Sequence, residues 1–514
     1  MNDIPAPNRI ELPPNDVHNK QLVDYTHPAD WTNPDPAPRY NLVVVGAGPA
    51  GLVAAAGAAG LGAKVALVER HLMGGDCLIH GCVPSKTLIR SARACAEIRQ
   101  AKQYGIQVDG PVSVDFPAIM ERVRAVRSGL SHHDSAERFQ SLGIDVFLGQ
   151  GAFSGPDMVT AGDKTLRFSK AIIATGARPA RPEIEGLTEH DYLTNETIFN
   201  LTEQPDRLLI LGAGPIGCEL AQAYQRLGTQ VTLVEMASQI LVREDPDAAR
   251  IVSEALERDG VRFVFDAKVK RVEATNGPKR VVIEQDGQER AIETDALLVG
   301  VGRVPNVDRL NLESVQVDYD KRQGIKVDDT LRTTNARIFA AGDVCMTHKF
   351  THAADAAARI VIQNALFGFV PSKGKISALT VPWCTYTDPE IAHVGLSAHE
   401  AARRNVSIDT YTIDMADVDR AVCDAEENGL LKVHTTQGKD TIVGATLVAR
   451  HAGDMISEVT TAMVSGKGLN SLSSVIHPYP TQAEIIKKAA DAYKRTRLTP
   501  TVAKIMNALM RWQR

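Results

Sequence analysis

Two stretches of this chain repeat one pattern. Leu42-Val-Val-Val45 runs into Gly46-Ala-Gly48-Pro-Ala-Gly51, and Glu69 stands 23 residues after Gly46. Leu208-Leu-Ile-Leu211 runs into Gly212-Ala-Gly214-Pro-Ile-Gly217, and Glu235 stands 23 residues after Gly212. In this setting the first glycine permits a tight turn, the second lets a pyrophosphate approach the backbone, and the third lets helix and strand pack closely. The helix N-terminus then meets the phosphate charge. One glycine triplet marks no more than a strand, a turn and a helix; two at the same offset predict two dinucleotide sites. The acidic residue ending each second strand accepts hydrogen bonds from a ribose diol and repels a 2′-phosphate. No arginine follows Glu235 in Met236-Ala237-Ser238, which favours NADH over NADPH at the second site.

The length of 514 residues corresponds to about three domains. A net charge of -5 gives no basic field for nucleic acid. Residues 42–63 carry no charge over 22 positions, yet they are mostly Gly and Ala, hold a Gly-Pro break and lead into Val65-Ala66-Leu67-Val68. Strand, turn, helix and strand therefore account for them better than a membrane span. Eight prolines within residues 1–38 predict an extended arm that precedes or drapes over the first fold, and the N-terminus has no secretory pattern, so the chain reads as cytoplasmic. Beyond Asp491 there are six basic residues and no acidic one. Thr499 and Pro500 suit a helix cap and first turn, followed by Val502, Ile505, Leu509 and Trp512 at helical spacing. That helix suits packing on its own subunit or a dimer mate, or a peripheral membrane or partner contact.

The seven cysteines are too sparse for a disulfide-stapled secreted protein, and only Cys77 and Cys82 lie close together. They belong to Gly74-Gly-Asp-Cys77-Leu-Ile-His-Gly-Cys82-Val-Pro-Ser-Lys86, where a helix starting near Pro84 places Cys82 at or before its N-terminus and Lys86 one turn in. Both features stabilise a thiolate. A zinc site needs four ligands, and no second cysteine pair stands at metal spacing; two inert thiols are the other alternative.

With these motifs in this order, the chain resembles the pyridine nucleotide-disulfide oxidoreductases, the flavoprotein family of dihydrolipoamide dehydrogenase, glutathione reductase and mercuric reductase, over about residues 40–490. The resemblance implies an α/β fold with two Rossmann-like dinucleotide-binding domains, for FAD and NAD(P), and a C-terminal α+β dimerisation domain. The expected divisions are an arm at 1–38, FAD-domain segments at 39–190 and 311–378, an NAD(P) domain at 191–310, an interface domain at 379–490 and the basic helix at 491–514. FAD would occupy the Gly46 site and NAD(P)H the Gly212 site. Cys77 and Cys82 would form a redox disulfide beside the flavin, Cys82 facing it and Cys77 exchanging with substrate. Lys86 would pair with Glu219 near the flavin. Gly151, Thr175 and Gly176, and Gly342 and Asp343 resemble further FAD contacts, and Gly302, in Gly300-Val-Gly302-Arg-Val-Pro-Asn306, a nicotinamide contact. Trp383 to Gly395, with Thr387-Asp-Pro-Glu390, resembles the start of the dimerisation domain.

One departure stands out. Many relatives place a proton-shuttling His before Pro-Thr with a Glu further on, but here the run is His477-Pro-Tyr479-Pro-Thr-Gln-Ala-Glu484. Tyr479 takes the His position and Glu484 remains. A phenol with a reference pKa of about 10 is a poor general base, whereas imidazole near about 6.5 is a good one. Mercuric reductases lack this His too, but they end in a vicinal cysteine pair, and this chain ends Leu509-Met-Arg-Trp-Gln-Arg514. His132-His133 before Asp134, and His348 with His352, read as surface or cap histidines. The expected activity is electron transfer from NADH through FAD and the cysteine pair to a disulfide or soft-metal acceptor in a homodimer. Dihydrolipoamide dehydrogenase, an NADH diaphorase or quinone reductase, and a flavin redox sensor are the alternatives.

Overall fold

The structure is a computed structural model that describes residues 10–188, 191–273, 275 and 277–514. Its first layer is a parallel sheet in which the strand Tyr40–Val45 pairs with Val65–Glu69 on one side and Lys164–Ile173 on the other. Asp145–Leu148 extends one edge and Ile338–Ala340 the other. Strands covered on both faces need continuous apolar runs, which is why Leu42, Val43, Val44 and Val45 are all buried. The helix Pro49–Gly60 follows the first fingerprint and packs on the helix Thr351–Leu366. A Cβ on Gly57 would stand 2.7 Å from Ile362 Cδ1, so small residues let these helices approach closely.

The second nucleotide fold repeats this plan with parallel strands Arg207–Leu211, Gln230–Val234, Arg262–Val264 and Ala296–Val299. An antiparallel three-stranded sheet, Ala267–Glu273 to Gln288–Thr294, covers it. The chain returns to the first fold through Arg303–Pro305, which pairs antiparallel with Ala177–Pro179. The last unit is an antiparallel five-stranded sheet from Pro382–Thr385 to Ile442–Ala449, backed by the helices Ala452–Val464 and Glu484–Thr496. Two nucleotide folds are thus the architecture expected from the duplicated motif, and the α+β unit is the one the family resemblance implied. Among the described residues no helix is long and apolar enough to cross a membrane.

The N-terminal end departs from expectation. The arm is not extended throughout: Val17–Thr26 is a helix, with the Asp16 carboxylate accepting from Asn19 N at 2.8 Å as its N-cap. It packs on the helix Phe116–Ser131, with Leu22 fully buried. At the far end the helix Pro500–Trp512 forms with its Thr499 cap as expected, and none of its residues is buried.

Candidate active site

The two fingerprints have the same backbone solution. Gly46 and Gly212 adopt φ of +106° and +99°, conformations that disfavour any side chain. Each donates its N–H to the end of the neighbouring strand, Gly46 to Val68 O at 2.8 Å and Gly212 to Val234 O at 2.9 Å. A Cβ on Gly51 would sit 1.8 Å from Gly46 O, and one on Gly217 would sit 2.0 Å from Gly212 O. The third glycines are therefore where each helix crosses its own turn. Gly48 and Gly214 are the helix N-caps. Glu69 Oε2 accepts from Ala47 N at 2.7 Å, and Glu235 Oε2 accepts from Ala213 N at 2.7 Å, which aims both carboxylates across their turns.

The cysteine loop lies directly against the first turn. Gly74 and Gly75 both have positive φ, and a Cβ on Gly75 would stand 2.7 Å from Gly48 Cα. Cys77 sits in the short helix Gly75–Ile79. The next helix, Cys82–Gln100, starts at Cys82 itself, two residues earlier than expected, with Gly81 as its N-cap. Cys77 and Cys82 are free thiols close enough for each to shift the titration of the other. Thr351 Oγ1 lies 3.7 Å from Cys82 Sγ. The Cys77 contact lowers the Cys82 pKa most, burial opposes it, and the Lys86 charge and Thr351 add to the lowering, which draws the thiol down to about 6. The same contact, then burial, pushes Cys77 up. One thiolate and one thiol is the resting charge state that follows.

Lys86 extends from this helix to the second nucleotide fold. Its Nζ stands 2.8 Å from Glu219 Oε2 and 4.5 Å from the Tyr386 ring centre. Tyr386 N donates to Glu219 Oε1 at 2.9 Å. Burial disfavours the ammonium, but the charge and hydrogen bond of Glu219 outweigh it and hold Lys86 above the usual lysine range.

Further along the same face, Arg303 Nη2 contacts Asp76 and Ala177 O, while its Nε is 3.6 Å from Asp343 Oδ2. That Nε is buried with no hydrogen-bond partner among the described residues. Asp343 is pushed above the usual carboxylate range by burial, which Arg303 and Lys349 partly offset. Thr175 Oγ1 donates to Asn306 O at 2.7 Å, and Asn306 Nδ2 returns a bond to Thr175 O at 2.9 Å, tying the two folds together. Positions corresponding to a Cβ on Gly176, Gly302 and Gly214 meet no atom within 4 Å. A buried guanidinium nitrogen without a hydrogen bond, an aimed carboxylate and open backbone suit a dinucleotide. Gly342 and Gly151 have a packing reason instead: their Cβ atoms would meet Ala50 Cβ at 3.2 Å and Val45 Cγ1 at 2.9 Å. Arg303, Thr351 and Tyr386 were missed as site residues by sequence reasoning; only Arg303 carried a signal, as the residue after Gly302.

Tyr479 and Glu484 are not brought to the cysteines within one chain. Tyr479 is 72% exposed and donates to Asp419 Oδ2 at 2.8 Å. Glu484 opens the helix Glu484–Thr496, which packs on the interface-domain strands. His477 points elsewhere, its Nε2 standing 3.0 Å from Glu458 Oε2. His348 stacks on Trp383 at 5.9 Å, and His352 stacks on Phe350 at 5.4 Å.

The family model of the pyridine nucleotide-disulphide oxidoreductases matches residues 40–358, and that of their dimerisation domain matches residues 381–490. The chain belongs to this family. Pyridine nucleotide-disulphide oxidoreductases are FAD-dependent enzymes that use a pyridine nucleotide, and this chain is one of them. It is 34% identical to a mercuric reductase of Staphylococcus aureus over 88% of its length and 82% of the relative's. It is also 34% identical to a dihydrolipoyl dehydrogenase of Chlamydia trachomatis, over 88% and 96% of the two chains. Among solved structures, the HOCl-induced flavoprotein disulfide reductase RclA from Escherichia coli superposes with a TM-score of 0.77 at 28% identity, covering 88% of this chain and 99% of that one. LpdA from Mycobacterium tuberculosis gives 0.80 at 28%, covering 89% and 100%.

Proposed function

We propose that the chain is an NADH-dependent reductase whose Cys77–Cys82 pair cycles between disulfide and dithiol, delivering two electrons to a soft metal ion or a small disulfide at an interface with a second copy. The observation that carries this reading is Cys82 at a helix N-terminus beside Cys77, its thiol lowered by Cys77 and by the charge of Lys86, which pairs with Glu219. The Gly46 turn, Glu69, Arg303 and Asp343 would hold FAD, which when bound would supply two-electron transfer between nicotinamide and sulfur. Cys82 keeps its negative charge through the helix N-terminus and Lys86. Cys77 keeps its proton and meets the acceptor. NADH leaves as NAD+; a disulfide acceptor takes up one further proton and leaves as two thiols, whereas a divalent soft metal takes the electrons and one proton is released.

The acceptor class follows from proton handling. Thiol exchange with a disulfide needs a base at Cys77, and Tyr479 is a hydrogen-bonded donor to Asp419. A soft metal ion binds sulfur directly and displaces the proton itself. Acceptors of that kind therefore suit this site best. The 2′-phosphate of NADPH would face Glu235, which supports NADH.

An acceptor panel of Hg(II), lipoamide, glutathione disulfide and quinones, run with NADH and NADPH, tests the reading. Turnover with a thiol-binding acceptor that disappears in Cys77→Ser, together with two additional labelled thiols per chain after anaerobic NADH, is the expected result. Undiminished quinone turnover in Cys77→Ser as the dominant activity would replace it with a thiol-independent diaphorase.

A further inference from the structure

Residues 10–33 lie outside the family match, yet they form one wall of a cavity of about 880 Å³ at the outer end of the first nucleotide fold. Its opposite wall begins one residue beyond the ribose carboxylate. Arg70 and His71 follow Glu69 directly, and Gly149 and Gln150, also lining it, are held alongside by the bond from Gly149 N to Glu69 O at 2.8 Å. Glu69, the carboxylate expected to hold the adenosine ribose, thus adjoins this space through Arg70 and His71. The volume is within the range of pockets that enclose a ligand of nucleoside size or larger.

The arm is tied down at both walls rather than resting on the surface. Asn33 pairs with Leu148 in both directions, Nδ2 to O at 3.0 Å and Leu148 N to Oδ1 at 2.8 Å. Trp31 Nε1 donates to Val146 O at 3.2 Å, and Met73 N donates to Thr26 O at 3.3 Å. Arg127, almost fully buried, donates to Asn19 Oδ1 at 2.6 Å and to Ile79 O at 2.7 Å, two residues from Cys77. Lys20, Val23, His27 and Trp31 of the arm line the cavity together.

We propose that this arm closes over the adenosine half of FAD, with Lys20, His27 and Trp31 contributing contacts that the family fold alone does not supply. The inference rests on FAD occupying the Gly46 site. In the full-length holoprotein, Lys20→Ala/His27→Ala and, separately, Trp31→Ala are compared with wild type for the rate of FAD release, followed by the rise in flavin fluorescence. The affinity of each apoprotein for FMN, which lacks adenosine, is measured alongside. FAD release about tenfold faster, with FMN affinity unchanged, is expected, because contacts worth about 1.4 kcal/mol at the adenosine end are lost. FAD release at the wild-type rate from both variants, or an equal loss of FAD and FMN, overturns the role of the arm. A wild-type protein that takes up no FAD removes the site assignment and the arm's role with it.

Discussion

The Lys86 ammonium stands 2.8 Å from Glu219 Oε2, so the helix carrying Cys82 is joined by charge to the helix that opens the second nucleotide fold. Glu219 keeps the lysine charged, and the lysine in turn lowers Cys82. Lys86→Met removes that positive charge and raises the Cys82 pKa from about 6 by about one unit. The thiolate fraction at pH 6 then falls about fivefold. The rate of iodoacetamide alkylation of the reduced protein against pH measures it; an unmoved inflection would show that Cys77 alone sets the thiolate.

At the second fingerprint, Glu235 is held across its turn by Ala213 N at 2.7 Å and Ala237 N at 3.1 Å. In the proposed NADH site, Glu235→Ser would remove the charge that opposes a 2′-phosphate and also the ribose acceptor. KM for NADPH is expected to fall and KM for NADH to rise, changing their ratio about tenfold or more. Steady-state kinetics with both nucleotides decide it, and a preference that does not change would place cofactor selection elsewhere.

The features legible in the sequence are those set by neighbours along the chain. Gly51 and Gly217 are required by turns a few residues earlier, and the strands around them are apolar because both faces are covered. Lys86 and Glu219 are 133 residues apart and were paired only through the family resemblance. Thr351 reaches Cys82 across 269 residues, and no local pattern marks it. Prolines concealed the N-terminal helix, because residues 15–27 contain none and Asp16 supplies a cap that the overall composition hides. Tyr479 and Glu484 lie within the stretch matched by the dimerisation-domain model, away from the cysteines of their own chain.

Glu244 joins the second nucleotide fold to the interface domain by accepting from Trp383 Nε1 at 2.6 Å. Burial pushes its pKa up to about 7, against the opposing effect of the Trp383 bond. The native state therefore binds an extra proton between the unfolded value near 4.5 and about 7. Stability from this group is present at the acid end of that window and is lost as pH rises through it. Glu244→Gln keeps an acceptor for Trp383 and abolishes the titration. Its thermal midpoint should exceed that of wild type at pH 8, by the equivalent of about 3 kcal/mol at most, and the gap should close at pH 5. A constant gap across that range would place the titration in another group.

Two neighbouring glycines separate folding from binding. A Cβ at Gly217 would stand 2.0 Å from Gly212 O, a clash with backbone that no rotamer relieves. Gly214 adopts φ of -74° and ψ of -178°, extended backbone open to any residue, and a Cβ there meets no atom within 4 Å. Its methyl group would occupy only the space through which a pyrophosphate approaches the turn. Gly217→Ala should lower the thermal midpoint, as expected for a core clash costing about 1–3 kcal/mol or more, and weaken NADH binding as well. Gly214→Ala should melt like wild type while binding NADH about tenfold or more weakly, since the helix N-terminus can no longer be reached closely. Thermal unfolding and NADH titration of both variants test the division. If Gly214→Ala binds NADH normally, the nucleotide does not approach the second turn in the way that its repeated sequence implies.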